Sequence, residues 1–422
     1  MTITALRGTT DLLPAEAERW QAAERAAREV CARYGYREIR TPLIEEAGLF
    51  IRSVGEMTDI VQKEMYLFAD RGGRQIALRP EATASVVRAY LEHHLHQDGL
   101  TRLYYAGPMF RAERPQAGRL RQFHQVGVEA IGATNPWLDA EVISLARDLL
   151  HALGVARLRL WLGSLGCADD KQRTAERLHQ ELASKTAQLC EDCQQRYQRN
   201  VFRILDCKQE RCRAVAWGGR TARDLFVLCD ACRSYHEQLL QALRQLQIPF
   251  DEDRAFIRGL DYYTRTVFEC TAEGLGAQDA VGAGGRYDNL VADLGGPSVG
   301  AVGFAIGVER ALLAAAHGAP ATEPARAGVF VATLGEAARA AGGALAATLR
   351  ARRVTALMDY EGKSLKGQLR TADKWRCRYA IILGEQELAS GSATWKDLET
   401  SEQSQAPLDQ VVETLAARAG VA

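Results

Sequence analysis

The strictest pattern in the chain is the alternation between Phe123 and Ile131. Phe123, Gln125, Gly127, Glu129 and Ile131 share one face, and His124, Val126, Val128 and Ala130 share the other, as the two-residue period of a strand requires. The second face is mostly apolar and suited to a core. The first sets a ring, an amide and a carboxylate in a row, with glycine between the two polar groups where a ligand could approach the backbone. Upstream, Arg111, Glu113, Pro115, Gly118, Arg119 and Arg121 make the connection to the preceding strand a long basic loop, not a tight turn. Such a floor suits a nucleotide together with a small cation. An arginine forks onto phosphate, a phenyl ring stacks on a base, and an amide with a carboxylate receives an ammonium group.

Other periodicities place further elements around this strand. Trp20, Ala23, Ala27, Val30 and Tyr34 recur at steps of three and four, which predicts a helix from Pro14 to about Tyr34, ended by Gly35. The stretch Tyr36 to Glu45 reads as a strand at a sheet boundary, because it contains Pro42. Between Gly55 and Ala89 the pattern gives a strand, a Gly72-Gly73 turn, a second strand and a helix, with Glu81 and Thr83 at the strand-to-helix junction. A polar pair there also suits helix capping. Alternation from Asp261 puts Tyr263, Arg265, Val267 and Glu269 on one face, and Tyr262, Thr264, Thr266 and Phe268 on the other. Gly300, Gly303 and Gly307 punctuate a strand that leads directly into a helix, so Arg310 falls in its first turn, where an anion is favoured. Residues 317–327 read as a linker, and strands and helices then alternate as in a small parallel α/β domain.

Composition narrows the class. The chain has 422 residues, enough for two or three domains, with 53 basic and 53 acidic residues, so nucleic-acid contact must come from local patches. One such patch lies between Arg350 and Arg378, where nine basic residues face three acidic ones. Lys363, Lys366, Arg370 and Lys374 fall on one helical face there, opposite Leu365, Leu369 and Ala372, the usual pattern of a solvated face. No apolar run reaches membrane-spanning length and the N-terminus lacks an apolar signal core, so the chain reads as cytosolic, with no membrane partner. A helical segment near residue 170 leads to six cysteines, Cys190, Cys193, Cys207, Cys212, Cys229 and Cys232. Two Cys-x2-Cys pairs suggest a structural Zn2+ held by Cys190, Cys193, Cys229 and Cys232, with Cys207 and Cys212 either replacing one pair or unused. Reduced, half-buried thiols are the plainer reading.

Four segments carry a family resemblance. FRAERPQ with RQFHQVGVEAIG, Phe110 to Gly132, resembles the second signature motif of class II aminoacyl-tRNA synthetases in its histidyl form, and GAVGFAIGVERALL, Gly300 to Leu313, resembles the third. RGLDYYTRTVFE, Arg258 to Glu269, and GAGGRYDNL, Gly282 to Leu290, resemble two segments peculiar to histidyl-tRNA synthetases. The N-terminal helix and strand are similar to the first class II motif, which implies a homodimer interface. LRPEAT matches the family's LRPEGT except that Ala82 replaces glycine.

The resemblance implies an α+β catalytic domain with a mixed, mainly antiparallel sheet, a helical cysteine-containing insertion and a small C-terminal α/β domain. Its parts would be a catalytic domain at 1–164 and 254–316, the insertion at 165–253, the linker at 317–327 and an anticodon-binding domain at 328–422. It further implies ATP-dependent conversion of L-histidine to histidyl-adenylate with release of pyrophosphate, assisted by Mg2+. Transfer of histidine to the 3′ end of tRNA(His) would follow. Arg111, Arg258 and Arg310 would be the catalytic charges. Glu81, Ala82, Thr83, Gln125, Glu129, Tyr262 and Tyr263, with Arg111 and Arg258, would hold histidine. Arg111, Glu113, Arg121, Phe123 and Arg310 would hold ATP. Two rivals remain. One is the non-catalytic histidyl-synthetase-like regulatory subunit of ATP phosphoribosyltransferase, which usually loses part of the RGLDYY segment and the C-terminal domain. The other is a class II synthetase for a different amino acid, which would leave the two histidine-specific segments unexplained.

Overall fold

The alternating segment Phe123 to Ile131 lies inside a seven-stranded sheet. In chain order its strands are β1 (Arg37–Glu38), β2 (Thr101–Phe110), β3 (Gln122–Ile131), β4 (Leu158–Ser164), β5 (Thr264–Ala272), β6 (Ala280–Arg286) and β7 (Ala301–Gly307). In space they run β1-β2-β3-β7-β6-β5-β4, and every pairing is antiparallel except β1 with β2. The structure, a computed structural model, describes residues 3–56, 58–116, 118–252, 261–276, 279–318 and 325–418. The chain divides into two units, Met1–Pro320 and Ala321–Ala422.

The two faces of β3 separate as their side chains require. Val126, Val128 and Ala130 join a core built with Trp20, Ala27 and Val30 of the helix Pro14–Arg33 and with Leu145 and Leu149 of the helix Pro136–Ala152. Each of the valine and leucine side chains contributes roughly 1.5–3 kcal/mol when fully withdrawn from water. One layer of helices therefore covers one face of the sheet, and the polar half of β3 is left to line a cleft.

Two expected strands differ in form. The stretch Tyr36 to Glu45 is divided: Arg37–Glu38 joins the main sheet, whereas Ile44–Glu46 joins a separate three-stranded sheet with Gln75–Leu78 and Tyr66–Ala69. Pro42 lies at the break, since it offers no N–H to either ladder. The alternation from Asp261 is also interrupted. β5 starts at Thr264, its register on β6 shifts between Thr264 and Val267, and Arg265 takes φ 46°. This bulge re-aims the residues before it, so Tyr262 and Tyr263 lie in one cluster, their ring centroids 4.9 Å apart.

The cysteine-bearing segment folds as short helices, including Ala168–Leu182, Glu191–Arg199, Phe202–Leu205 and Glu210–Trp217. The longer helix Asp230–Gln245 returns to the main core through Leu239, Leu240 and Leu243.

The second unit has a five-stranded sheet of β8 (Val329–Thr333), β9 (Ala356–Met358), β10 (Tyr379–Leu383), β11 (Ser392–Asp397) and β12 (Gln403–Pro407), in the order β9-β8-β10-β11-β12. The first three strands are parallel, as expected, and the last two add an antiparallel pair. β12 is an edge strand of exposed polar residues, so it leaves no apolar alternation in the sequence. On the helix Leu365–Lys374, Gln368 is buried and acts as an extra strand residue: its Oε1 accepts from Thr333 N at 2.9 Å and its Nε2 donates to Thr333 O at 2.8 Å. Lys366, Arg370 and Lys374 are exposed on this helix. Lys363 precedes it, with its N–H held by the Asp359 carboxylate at 2.8 Å. Tyr360 and Trp375, 71% and 66% exposed, flank the basic residues in sequence, and the periodicity gave no sign of them.

Candidate active site

The polar face of β3 floors a cleft of about 1020 Å³. Its other walls come from β2, β6 and β7, the start of the helix Thr83–Glu92, the basic loop after β2, Tyr262 and Tyr263, and three residues of the insertion.

Part of the lining is a buried carboxylate cluster. Glu129 is 1% exposed; its Oε1 accepts from Thr83 Oγ1 at 2.7 Å and its Oε2 accepts from the Tyr287 hydroxyl. Gly303, opposite Glu129 on β7, leaves the room this requires, because a Cβ there would lie 2.0 Å from Glu129 Oε2. Burial raises the Glu129 pKa to about 8, against the opposing effect of the two hydroxyl donors. Glu81 is also buried. Its oxygens accept from the N–H groups of Thr83 and Ala84 at 2.8 and 2.9 Å, so it caps the helix and lines the cleft together. Burial pushes its pKa up too. On the same face of β3, Gln125 Oε1 lines the cleft and is buried with no hydrogen-bond partner among the described residues. Two carboxyl groups and an unsatisfied amide oxygen lining one cleft form an acceptor set for a ligand that donates several N–H bonds.

Next to this cluster the lining turns cationic, starting with Arg111 close to Glu81. Arg111 donates through Nε to Pro80 O at 2.9 Å, and its guanidinium lies 5.2 Å from the Phe123 ring centroid, so backbone and ring fix its direction. Arg310, in the first turn of the helix Val308–Gly318, donates through Nε to Ala280 O at 2.7 Å. Burial lowers its pKa, and the neighbouring Arg119 lowers it further. Two guanidiniums held this close are stabilised by an anion between them. Carboxylates of Glu113 and Glu269 line the same cleft and act favourably on Arg310.

Most of the residues expected at the site meet here: Glu81, Thr83, Arg111, Glu113, Phe123, Gln125, Glu129, Tyr262, Tyr263 and Arg310 all line the cleft. Some do not. Arg121 packs over Gly8 and donates through Nε to Glu113 O at 3.4 Å, while Arg119 faces the cleft instead. The two arginines are two residues apart, but the loop that carries them is irregular, so alternation cannot assign their directions. Ala82 is buried in the core behind the site and does not line it. Arg258 lies outside the described residues.

The glycine of β3 has a different purpose from the one expected. A Cβ on Gly127 would lie 2.3 Å from the hydroxyl of Tyr105, its partner on β2, so the space belongs to that tyrosine and not to a ligand approaching the backbone. Tyr105 and Tyr287 are cleft residues that the sequence reading missed. Strand pairing was the signal that would have found Tyr105, since its ring lies over the glycine across the ladder.

The expected zinc set also does not assemble. Cys190 and Cys193 meet Cys207 and Cys212, whereas Cys229 and Cys232 meet Cys167 and Asp170. Each Cys-x2-Cys pair opens a different helix, Glu191–Arg199 or Asp230–Gln245, and these helices begin in separate parts of the insertion.

Comparison with known proteins agrees with this geometry. The family model described as Histidyl-tRNA synthetase matches residues 8–311, and the one described as Anticodon binding domain matches residues 328–418. A histidine–tRNA ligase of Desulforamulus reducens is 46% identical over 421 residues, 99% of this chain and 100% of that protein. One of Moorella thermoacetica is 47% identical over 409 residues, 96% of each. The crystal structure of apo Staphylococcus aureus histidyl-tRNA synthetase superposes with TM-score 0.82 at 35% identity, covering 98% of this chain and 99% of that one. A Bacillus halodurans chain titled as an ATP phosphoribosyltransferase regulatory subunit/histidyl-tRNA synthetase shares the fold, with TM-score 0.67 at 20% identity over 91% of this chain and 99% of its own.

Proposed function

The chain belongs to the histidyl-tRNA synthetase family, and from that premise we propose that the cleft floored by β3 is where histidine and ATP react and that its two parts divide the substrates between them. The activity is ATP-dependent formation of histidyl-adenylate with release of pyrophosphate, followed by transfer of histidine to tRNA(His). The substrate carboxylate is already a nucleophile at neutral pH, so the first step needs orientation and charge stabilisation and no general base.

Glu129, Gln125, Glu81, Thr83, Tyr262 and Tyr263 bind histidine in this reading. The observation that carries it is Gln125 Oε1, without a partner among the described residues, lining the same cleft as the buried Glu129 carboxyl group. An amino acid that brings an ammonium group and an imidazole N–H satisfies both. Arg111, stacked on Phe123, orients the α-phosphate and the attacking carboxylate, with Arg258 expected to share that role. Arg310 and Arg119 take the departing pyrophosphate, and Glu113 belongs to the ATP side. Mg2+, which use of ATP by the family implies, would shield the phosphate charge when bound. The hard carboxylate oxygens of Glu113 and Glu269 suit it.

Gln125→Leu tests the histidine part. It removes an unsatisfied polar atom from the empty cleft, so thermal stability is expected to hold or rise. The KM for histidine should rise at least about tenfold, the loss of one good hydrogen bond to a charged group, while the KM for ATP stays unchanged. Equal changes in both KM values would move Gln125 out of the histidine pocket.

The second unit binds tRNA in this account. Exposed Lys366, Arg370 and Lys374 neutralise phosphates, and exposed Tyr360 and Trp375 offer rings to unstacked anticodon bases. Replacing the three cations by glutamine should reduce the slope of log affinity for tRNA(His) against log salt by about 0.7 for each single-stranded phosphate no longer neutralised. An unchanged slope would assign the patch to solvation alone. Exposed Leu43, Ile44, Leu67 and Phe68 on and beside the three-stranded sheet suit burial against a second copy, in a homodimer. Among the described residues no helix is long and apolar enough to cross a membrane; a cytoplasmic location is part of the same proposal.

A further inference from the structure

We propose that the insertion binds one Zn2+ through Cys190, Cys193, Cys207 and Cys212, and that this ion fastens the insertion's wall of the active-site cleft. The four sulfurs all lie within 4.8 Å of one another, and Cys190 Sγ is 3.9 Å from Cys207 Sγ. A tetrahedral ion with Zn–S of about 2.3 Å places its sulfurs about 3.8 Å apart, whereas a disulfide needs about 2.05 Å. The spacing is therefore that of sulfurs around a metal.

The sequence supplies two ligand pairs of familiar zinc spacing, Cys-x2-Cys at 190–193 and Cys-x4-Cys at 207–212. Backbone N–H groups and a cation are directed at the sulfurs. Cys190 N donates to Cys212 Sγ at 3.2 Å, Gln209 N donates to Cys207 Sγ at 3.4 Å, and Arg196 Nη1 is 4.0 Å from Cys193 Sγ. Cys190 and Cys193 also lie in the N-terminal turn of the helix Glu191–Arg199, where the helix dipole favours negative charge. Such N–H···S contacts and a nearby cation are the outer support that a doubly negative zinc tetrathiolate requires. A closed set of four cysteines leaves no open coordination position, which makes the site structural.

The plainer alternative is four thiols packed as small apolar side chains. It does not explain why a core this small converges all four sulfurs. The helices around them, Phe202–Leu205 and Glu210–Trp217, are too short to persist without tertiary support, and small cores of this kind are commonly completed by a metal. The other cluster contrasts with this one. There Asp170 accepts from Cys167 N at 3.2 Å, from Cys229 N at 3.0 Å and from Arg173, so hydrogen bonds already satisfy its carboxylate and join the start of one helix to the start of another.

The ion would close the loop between Cys193 and Cys207, and that loop touches the catalytic unit. Asn200 Nδ2 donates to Asp261 Oδ2 at 3.0 Å, Arg196 pairs with Asp59 at 3.6 Å, and Arg203 and Asp206, with Lys208 just after the loop, line the cleft. A metal remote from the reacting atoms would thereby hold one wall of the site.

The test is metal content of the full-length protein purified without added chelator. Elemental analysis should find zinc in the parent. Cys212→Ser and Cys207→Ser should each lose about one equivalent per chain, and Cys377→Ser should lose none. Should a cysteine variant prove insoluble, the parent itself provides a second readout. Stripping zinc should expose four further thiols to a thiol reagent under native conditions. Cobalt(II) added to the stripped protein should then give the absorption of a tetrahedral thiolate site, and Cys212→Ser should abolish it. A parent free of zinc, full zinc retention in the Cys207→Ser and Cys212→Ser variants, or no change in thiol reactivity on stripping would overturn the assignment.

Discussion

Arg111→Ala is expected to slow histidine-dependent pyrophosphate exchange by at least about a hundredfold, the usual loss for one preorganised charge donor. The native side chain is braced by Pro80 O at one edge and by the Phe123 ring at its face. Its direction is thus fixed before substrates arrive, which is what makes such a group effective at a transition state. Neither brace contributes to the main core, so the variant should unfold at close to the parent's temperature. The loss should appear in kcat, since the charge it stabilises develops during transfer. An unchanged kcat accompanied by a raised KM for ATP would reduce Arg111 to a ground-state role.

Glu129→Gln should have the larger effect on histidine. A site built to pair with a polar substrate group discriminates by roughly ten thousandfold against its absence, and a loss approaching that size in kcat/KM for histidine is expected, with the KM for ATP little changed. The same variant carries a pH signature. The Glu129 pKa is raised in the fold to about 8 from the ordinary 4.5. The folded protein therefore holds a proton here that the unfolded chain releases. This group's contribution to stability is complete below about pH 4.5 and is lost as pH rises through about 8. Glutamine is not subject to that loss. The melting temperature of Glu129→Gln relative to the parent should rise as pH increases from 5 to 8 in the absence of histidine. A difference that does not vary with pH would show that Glu129 is ionised in the empty site.

How much of this was legible in the sequence depended on whether a period was intact. β3 alternates without interruption, so both its faces, and with them Phe123, Gln125 and Glu129, were assigned correctly from residues alone. The N-terminal helix was equally clear, because its stripe repeats through about four turns of chain. Readings failed where a local irregularity resets the phase. The bulge at Arg265 brought Tyr262 and Tyr263 to the same cleft against the alternation, and the loop after β2 turned Arg119 inward and Arg121 outward. Packing between distant segments left no periodic trace at all. Tyr105 over Gly127, Tyr287 on Glu129 and the regrouping of the cysteines depend on strand pairing and on the order in which short helices stack. For the cysteines, spacing identified the pairs correctly, but two equivalent pairs carry no information about which of them meet.

The assignment of histidine and ATP to different parts of one cleft is tested most directly by amino-acid-dependent exchange of pyrophosphate into ATP, with each proteinogenic amino acid supplied alone to the purified full-length protein. Exchange should depend on histidine and fall to background with every other amino acid. Absence of exchange with histidine would contradict the account in favour of a non-catalytic relative, and exchange sustained by a different amino acid would contradict the reading of the Gln125 and Glu129 part as a histidine pocket.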